Sequence, residues 1–376
     1  MADKNFTTDE AFMREALELA ERGRGRVEPN PAVGAVIVKD GRVVGQGFHE
    51  RYGAEHAEVN AIRDAGGSCA GCALYVTLEP CCTQGKQPPC VAAVLSAGIS
   101  RVVVGCIDQN PKHAGEGIRQ LRDNGVQVDI GVCEDECLIA HAPFFKWIGT
   151  QLPFVTAKWA MSADGRTATG TGDSHWISGE ASRRRVHELR GRVDGVVIGV
   201  GTAIADDPTL TCRDAEVRRV AARIIVDSEA RLRPESKLAR TAKEIPVIVM
   251  TTTAAPEKNV KALSRAGCRI IQCGTGGSVD LKQMVRKLGE DGFCNLLVEG
   301  GATLLGGMFD DRLVDRAMVF VAPIILGGET SPGGISGMGA PVVSEGMRLL
   351  KPRIERIEDD VLLTGEVVYP RMRRGR

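Results

Sequence analysis

The feature that most constrains this chain is a set of metal-binding residue types, His56, Cys81 and Cys90. One imidazole and two thiolates suit zinc, which prefers nitrogen and sulfur ligands in a tetrahedron. Three protein ligands leave the fourth position for water, which is the arrangement of a catalytic zinc site. The fold must therefore bring these three side chains together, and we expect them to converge from the starts of two helices.

Glu58 lies two residues after His56 and is predicted to be the general acid/base of this site. Bound zinc lowers the pKa of a water to about 7, and a neighbouring carboxylate then transfers the proton to a leaving amine. H-x-E followed by P-C and a further Cys is the signature of zinc-dependent nucleobase deaminases. The usual P-C-x-x-C is replaced here by Cys81 and Cys90 with eight residues between them. Gly85 and the two prolines before Cys90 indicate a loop over the metal.

Other interpretations of these cysteines are open at this point. Cys69 and Cys72 form a C-x-x-C that would suit half of a structural zinc site, but no second pair has matching spacing, so we interpret them as free thiols. A structural zinc module on an inactive scaffold is the alternative that involves no enzyme. In that case Glu58 would be dispensable.

Composition limits the class of protein. A chain of 376 residues predicts two or three domains. Equal numbers of basic and acidic residues, 48 each, argue against a nucleic-acid partner. Twelve cysteines without disulfide-framework spacing predict a reducing, cytoplasmic compartment. We expect no signal peptide and no membrane partner, because no long apolar run is present. The basic tail, residues 371–376, is predicted to be solvated. The sequence is compatible with a monomer and with a homo-oligomer.

The first half of the chain predicts an α/β domain. A capping box from Thr7 to Glu10 starts a helix, and Asp40-Gly41 marks a hairpin. Asn30 lies between two prolines and is either a substrate contact or part of an Asx turn. Strands are expected at 33–38, 42–47, 74–78 and 101–105, and helices at 56–64, 89–97 and 115–124. Alternation of strands and helices predicts a mixed or parallel sheet with helices on its faces.

The second half predicts another α/β domain, with the division at residues 147 and 148. We expect a packed junction over 143–153, because it holds two Phe and a Trp. Strands are expected at 154–161, 196–200, 223–226, 247–250, 269–272, 296–298, 317–325 and 361–368, and helices at 178–192 and 281–290.

Three features of this half are candidates for chemistry. The stretch 297–304 is a strand that runs through a glycine turn into a helix, where exposed N–H groups bind phosphate or simply form a tight turn. Residues 164–166 and 174–177 are interpreted as a structured loop. Asp206 and Asp207 are either a helix cap or part of a site.

Taken in order, these strings resemble a known enzyme family over residues 8 to 368. Pro29-Asn-Pro, His56-Ala-Glu, Leu78-Glu-Pro-Cys, Pro88-Pro-Cys and Asp108-Gln-Asn-Pro resemble the deaminase half of the bifunctional riboflavin-biosynthesis deaminase–reductase. Residues 161–168, Ser174-His-Trp-Ile, 205–211 and Val298-Glu-Gly-Gly resemble its reductase half.

The resemblance implies a cytidine-deaminase-like three-layer domain followed by a dihydrofolate-reductase-like domain. It implies hydrolytic deamination of 2,5-diamino-6-(5-phosphoribosylamino)pyrimidin-4(3H)-one with Zn²⁺. NADPH reduction of 5-amino-6-(5-phosphoribosylamino)uracil to the ribitylamino phosphate then follows. The partners are thus small phosphorylated pyrimidines.

The resemblance also implies site residues. His56, Cys81 and Cys90 fall where the family binds zinc, and Glu58 falls at its proton shuttle. Substrate positions are Ser174, Arg190, Leu210, Arg213 and Glu299, of which Arg190 and Arg213 suit a 5′-phosphate. NADP positions are Ala160, Trp176, Thr202, Asp206, Ser228, Gly301, Ala302, Thr303, Leu304, Leu305, Gly306 and Gly307.

One loop departs from the family pattern. Cys82, Thr83, Lys86 and Gln87 stand where the family usually has Ser, His, Arg and Thr. Lys86 keeps a positive charge but loses the bidentate geometry of Arg. An alternative function is a single-activity nucleobase or nucleoside deaminase, such as one acting on tRNA adenosine, with an unrelated C-terminal domain. The eight-residue spacing and the zero net charge argue against it.

Overall fold

The computed structural model describes residues 8–111 and 113–370. The chain divides into two compact units, Met1–Gln151 and Leu152–Arg376. Each unit has its own sheet and its own hydrophobic core. Thr7, Lys112 and the basic tail lie outside the described residues.

The first unit contains one mixed sheet of five strands in the order β2-β1-β3-β4-β5. The β1–β2 and β1–β3 pairs are antiparallel, and β3–β4–β5 is parallel. In chain order the elements are α1 (Asp9–Gly23), β1 (Gly34–Lys39), β2 (Arg42–Phe48), α2 (Ala57–Asp64), β3 (Ala73–Leu78), α3 (Cys90–Ser96), β4 (Arg101–Cys106), α4 (Glu116–Asp123), β5 (Gln127–Ile130) and α5 (Glu134–Thr150).

Helices cover both faces of this sheet, which makes three layers. Helices α1 and α5 contact each other on one face, while α2 contacts α3 and α3 contacts α4 on the other. Glycines allow the helices to approach the strands closely. A Cβ atom on Gly34 would overlap the Ala16 carbonyl of α1, and one on Gly47 would overlap the Ala57 carbonyl of α2. The start of α2 therefore rests directly on the backbone of β2.

Local signals explain most boundaries in this unit. The Thr8 hydroxyl accepts a hydrogen bond from the Ala11 amide and caps α1. Asp40 and Gly41 both have positive φ, 50° and 74°, as the hairpin turn requires. Pro143 lies inside α5, so most of the predicted junction at 143–153 is helix, and the division between the units falls at its end, after Gln151. Phe144 and Phe145 of this helix pack in the first core.

The second unit contains one sheet of nine strands in the order β10-β9-β8-β7-β11-β6-β12-β14-β13. Strands β6 to β12 pair in parallel, and β14 and β13 add an antiparallel edge. The elements are β6 (Phe154–Ser162), α6 (Glu180–Arg190), β7 (Gly195–Gly199), α7 (Val200–Asp206), β8 (Ala222–Val226), α8 (Lys237–Arg240), β9 (Val247–Thr251), α9 (Glu257–Ala266), β10 (Arg269–Gln272), α10 (Leu281–Glu290), β11 (Asn295–Val298), α11 (Ala302–Asp310), β12 (Arg316–Ala322), β13 (Arg348–Ile357) and β14 (Asp360–Val368).

Hydrophobic clusters lie on both faces of the parallel strands. Adjacent residues of β11 belong to different clusters, because successive side chains of a strand point to opposite faces. Strand β13 was not predicted from the sequence. It lies at the exposed edge and is rich in charged residues, so it lacks the apolar run that identifies a buried strand.

None of the helices within the described residues combines the length and apolar character needed to cross a membrane.

Candidate active sites

The three predicted zinc ligands converge in the first unit. His56 immediately precedes α2, Cys81 follows the end of β3, and Cys90 is the first residue of α3. His56 Nδ1 lies 3.2 Å from Cys90 Sγ and 3.5 Å from Cys81 Sγ. Within the described residues this is the one group of three or more His, Cys, Asp or Glu side chains close enough to share a metal ion. The ligands come from two helix starts and one strand end.

The chemistry of this cluster fits zinc. Hydrogen bonds from the Cys90 thiol and from His56 lower the pKa of Cys81 to about 4, so this sulfur is a thiolate at neutral pH. The Cys90 amide also points at Cys81 Sγ, at 3.4 Å. Two sulfurs and one imidazole nitrogen are typical of zinc sites, and three protein ligands leave one coordination position for a reactant.

Glu58 lies on the first turn of α2, next to the ligand cluster. Its side chain is buried, with 3% of its surface exposed. Burial raises the pKa of Glu58 to about 7. A carboxyl group of that pKa both accepts and releases a proton near neutral pH, as general acid/base catalysis requires.

A second histidine, which the sequence did not single out, lies beside the cluster. The His49 and His56 rings meet edge to face with centroids 5.1 Å apart. His49 Nδ1 lies 3.0 Å from the Glu55 carbonyl oxygen, and His49 Nε2 lies 3.2 Å from the side-chain amide of Asn30. The side chain of Asn30 therefore points towards the metal-site histidines, which favours the substrate-contact interpretation over an Asx turn. His49 carried no sequence signal beyond its place at the end of a strand.

The loop between the two cysteine ligands is fastened to neighbouring segments. Lys86 Nζ lies 4.0 Å from the ring centroid of Tyr52, and the Gln87 side chain donates to the Gly53 carbonyl at 2.8 Å. Cys82 Sγ lies 3.5 Å from His113 Nδ1. The substituted positions of this loop thus have defined contacts of their own.

Cys69 and Cys72 are both buried, unpaired thiols in the structure. Cys72 N–H donates to the Cys69 carbonyl in a tight turn. No metal-binding group containing them occurs in residues 8–111 and 113–370. The interpretation of these cysteines as free thiols stays a prediction, and both thiols are buried in this turn.

The second unit contains a cavity of about 890 Å³ near the carboxyl end of β11 and the start of α11. All the residues expected to hold substrate line it, as do seven of those expected to hold the cofactor. The substrate set is Ser174, Arg190, Leu210, Arg213 and Glu299, and the cofactor set is Ala160, Trp176, Thr202, Asp206, Gly301, Ala302 and Leu305.

The other expected cofactor residues lie outside the cavity lining. Ser228 follows β8, where its carbonyl oxygen accepts hydrogen bonds from Thr251 and Thr252. Leu304 is buried in the hydrophobic core beneath α11, and Thr303 is exposed to solvent. Gly306 and Gly307 lie one turn further along this helix, and a Cβ on Gly306 would overlap the Ser336 carbonyl. These glycines allow close packing of the helix.

Arg190 and Glu299 form a bidentate ion pair in this cavity. Arg190 Nε donates to Glu299 Oε1 at 2.6 Å, and Nη2 donates to Oε2 at 2.9 Å. Lys158, which sequence reasoning missed, lies on the other side of the carboxylate with Nζ 4.0 Å from Oε2. Burial lowers the pKa of Lys158, while the Glu299 charge opposes that shift. The only sequence signal for Lys158 is a lysine in the otherwise apolar strand β6.

The turn of Asp164, Gly165 and Arg166 fastens the segment that follows β12. Asp164 accepts hydrogen bonds from the amides of Leu326 and Gly327, at 3.1 and 2.8 Å. The Arg166 guanidinium donates to the Ser331 carbonyl at 2.7 Å. A hydrogen bond from the Ser162 hydroxyl and these amides together lower the pKa of Asp164 to about 2. The segment continues to a glycine at position 334 that lines the cavity.

Asp206 and Asp207 both line the cavity. The Asp207 carboxylate also accepts a hydrogen bond from the Lys237 amide at the start of α8, at 2.9 Å. Asp207 therefore caps the start of α8, and both Asp residues line the cavity of the second unit.

Family models match both units. The cytidine and deoxycytidylate deaminase zinc-binding region matches residues 6–106, and the RibD C-terminal domain matches residues 153–363. The single-activity deaminase with an unrelated second half is therefore not favoured.

Curated relatives match over nearly the whole chain. Riboflavin biosynthesis protein RibD of Aquifex aeolicus is 40% identical over 357 residues, covering 94% of this chain and 97% of the relative. RibD of Escherichia coli K12 is 37% identical over 333 residues, covering 85% and 89%.

Solved structures agree. A diaminohydroxyphosphoribosylaminopyrimidine deaminase/5-amino-6-(5-phosphoribosylamino)uracil reductase from Thermotoga maritima is 33% identical, with a TM-score of 0.80, covering 96% of this chain and 99% of that one. RibD of Acinetobacter baumannii, form 1, is 34% identical with a TM-score of 0.79 and the same coverage. The chain belongs to the RibD family of bifunctional riboflavin-biosynthesis enzymes, in which a zinc-binding deaminase domain precedes a reductase domain.

Proposed function

We propose that residues 1–147 carry the deaminase reaction and residues 148–376 carry the NADPH-dependent reduction that follows it. The substrates are 2,5-diamino-6-(5-phosphoribosylamino)pyrimidin-4(3H)-one and then 5-amino-6-(5-phosphoribosylamino)uracil. The observation that carries the proposal is the convergence of His56, Cys81 and Cys90 beside the buried carboxyl group of Glu58. Free cysteines throughout the chain support a cytoplasmic location.

In the first reaction, His56, Cys81 and Cys90 hold the metal, and Glu58 moves the proton. Zinc, when bound, activates a water for attack on an amino-bearing pyrimidine carbon. Glu58 accepts a proton from that water at its carboxylate and delivers it to the exocyclic amine, which leaves as ammonia. Asn30 and His49, which face this site, orient the pyrimidine.

In the second reaction, the cavity of the second unit holds both the ribosyl phosphate and the cofactor. NADPH, when bound, would supply a hydride to the sugar carbon that bears the amine; the bond from that carbon to the ring oxygen breaks, and the oxygen takes up a proton. The glycine turn before α11 and the residues around it hold the cofactor. Arg213 and Arg190 bind the 5′-phosphate; Arg190 uses Nε and Nη2 on Glu299, and its Nη1, which makes one long bond of 3.5 Å to the Thr211 carbonyl, has a further N–H for the phosphate.

The residues that we assign to each ligand fall into two groups. Substrate is held by Ser174, Arg190, Leu210, Arg213 and Glu299. NADPH is held by Ala160, Trp176, Thr202, Asp206, Gly301, Ala302 and Leu305, with Ser228, Thr303, Leu304, Gly306 and Gly307 supporting the same region.

The decisive experiment is Glu58→Gln in the full chain, with each reaction assayed on its own substrate. We expect deamination to fall by about 10²- to 10⁴-fold, since this is the contribution of a positioned acid/base. Bound zinc and NADPH-dependent reduction of the deaminated intermediate should stay at the wild-type level. Asp123→Asn, an exposed carboxylate on α4 that pairs with Arg119, is the matched control and should change neither reaction.

Two results would contradict the assignment. Full deamination by Glu58→Gln would make the site a structural zinc module. Loss of both reactions in a folded Glu58→Gln protein would mean that the two activities share one site.

A further inference from the structure

The carboxylate of Glu79, between β3 and Cys81, has an unusual set of partners. It is buried, with 3% of its surface exposed. Glu79 Oε2 accepts from the amides of Asp108 at 3.2 Å and Gly115 at 2.9 Å. Glu79 Oε1 accepts from the amides of Gly117 at 2.9 Å and Ile118 at 3.4 Å. All four donors are backbone N–H groups of one distant segment.

Glu79 replaces the missing cap of helix α4. The residue before this helix is Gly115, which has no side chain to accept hydrogen bonds from the first helical amides. Those amides carry a partial positive charge and need acceptors when they are buried. A carboxylate supplied by another part of the chain satisfies them with charge-assisted bonds. The helix start and the preceding loop are therefore fixed to the residue two positions before a zinc ligand.

The segment that Glu79 holds lies against the metal site. A Cβ on Gly117 would overlap the Pro80 carbonyl, so α4 packs directly on the residue before Cys81. Cys82 Sγ lies 3.5 Å from His113 Nδ1 in the same segment. Asp108 is itself buried, and its side chain accepts the Asn110 amide at 2.8 Å. Asp108, Asn110 and His113 thus belong to a segment that lies beside Cys82, the residue after the ligand Cys81.

We propose that Glu79 is a positioning residue of the deaminase, which sets the position of Asp108, Asn110 and His113 relative to the metal ligand Cys81. It acts on the substrate through these residues and touches no reacting atom. The inference rests on the proposed function of the site at His56, Cys81 and Cys90. Its physical basis is that a shift of about 1 Å in a positioning element costs up to about 10²-fold in rate.

The test is Glu79→Gln in the full-length zinc-loaded enzyme, with kcat and KM of deamination measured separately. In the variant, the NH₂ group of the glutamine side chain replaces one carboxylate oxygen of Glu79. This donor faces backbone N–H groups of the segment from Asp108 to Ile118 and repels them. We expect KM to rise and kcat/KM to fall by about 10- to 100-fold, with bound zinc and the reductase reaction unchanged.

Asp9→Asn is the matched control. The Asp9 carboxylate accepts hydrogen bonds from the Tyr75 hydroxyl and from Arg101 Nη2, at 2.7 Å each. Tyr75 lies on β3 and Arg101 on β4, the two strands that precede Glu79 and Asp108, and neither residue belongs to the metal-ligand cluster. This variant weakens the same unit, so it should lower kcat only in proportion to the folded fraction and leave KM unchanged. A Glu79→Gln protein that behaves like Asp9→Asn, or lies within twofold of wild type, overturns the proposal.

Gly117→Ala decides the question if Glu79→Gln yields no soluble protein. It breaks the same contact from the opposite side, because its methyl group meets the Pro80 carbonyl. A rise in KM supports the positioning role, and an unchanged KM overturns it. Glu58→Gln is assayed alongside: if it deaminates at the wild-type rate, the proposed site itself is wrong, whatever Glu79 does.

Discussion

Arg190 and Glu299 meet through two parallel hydrogen bonds inside the reductase cavity, and both side chains are largely removed from solvent. The pair holds one edge of the guanidinium in a fixed direction, and Nη1 on the opposite edge lies 3.5 Å from the Thr211 carbonyl oxygen. Lys158 adds a second positive charge to the same carboxylate. Glu299 is thus the centre of a charged group that lines the cavity.

Replacement of Glu299 by Gln should disable reduction. It leaves the buried Arg190 charge without its partner, which typically destabilises a protein by about 3–5 kcal/mol. We expect kcat/KM for reduction to fall by about 100-fold, and the second unit to unfold at lower denaturant concentration, while deamination stays unchanged. Glu257→Gln, from an exposed pair with Lys261, is the control and should have no effect on either measurement. Wild-type reduction by Glu299→Gln would contradict this role.

Replacement of Lys158 by Met should separate catalysis from cofactor binding. Lys158 is half-buried in the cavity with Nζ 5.7 Å from the Phe320 ring centroid, so Met keeps its length and its packing. If the proposed substrate binds beside Glu299, loss of this ammonium removes a hydrogen-bond donor next to it, and we expect reduction to fall by about 100-fold. NADPH affinity, measured by fluorescence titration, should change by less than about threefold. A large loss of NADPH affinity instead would place Lys158 against the cofactor.

Removal of zinc should affect one reaction only. A chelator is expected to abolish deamination and to lower the thermal midpoint of the first unit by about 5 °C or more, because a metal that binds the folded state stabilises it. NADPH-dependent reduction should continue, and added zinc should restore deamination. Cys72→Ser should retain zinc and activity, since Cys72 lies outside the ligand cluster. Zinc loss in Cys72→Ser would contradict the free-thiol interpretation.

The stability of the first unit should fall as the pH drops below about 6.5. Burial lowers the pKa of His141 from 6.5 to about 3, with Arg24 adding to the shift and Glu21 opposing it. Between these two pKa values the unfolded chain binds a proton that the folded chain excludes, so the unfolding free energy decreases by up to about 1.4 kcal/mol per pH unit from this residue. Above pH 6.5 the effect is absent.

Chemical denaturation at several pH values measures this slope, with His141→Gln as the comparison. Glutamine retains a hydrogen-bonding group for the Thr77 hydroxyl, which lies 3.2 Å from His141 Nε2. The variant should show a smaller decrease in stability between pH 6.5 and 4 than wild type. Equal slopes for the two proteins would mean that the buried histidine does not control acid stability.

The metal ligands and Glu58 were predictable because each residue belongs to a short motif whose chemistry needs few neighbours. Helix and strand positions followed from apolar periodicity and from turn residues such as Asp40 and Gly41. The contacts of His49, Lys158 and Glu79, on which their proposed roles rest, were not predictable in this way. Each of these contacts joins residues that are far apart in the sequence, so no short motif predicts them.

Local signals alone did not show how the predicted junction is built. Pro143 and the aromatic residues after it continue α5, because Phe145 is buried in the core of the first unit, and the division between the units follows at Gln151. Strand β13 was not predicted, because an exposed edge strand does not require a continuous run of apolar residues. The cofactor positions 301–307 were assigned as one run, whereas a helix turns successive residues away from any single surface, and Thr303, Leu304, Gly306 and Gly307 lie outside the cavity lining.

The glycine at position 47 has a consequence for how this enzyme evolves. Since α2 sits on bare backbone there, even one added carbon would lift the turn that carries both His56 and Glu58. Substitutions in β2 are thereby coupled to the deaminase reaction. The reductase unit has a sheet of its own, so its residues can change without this constraint.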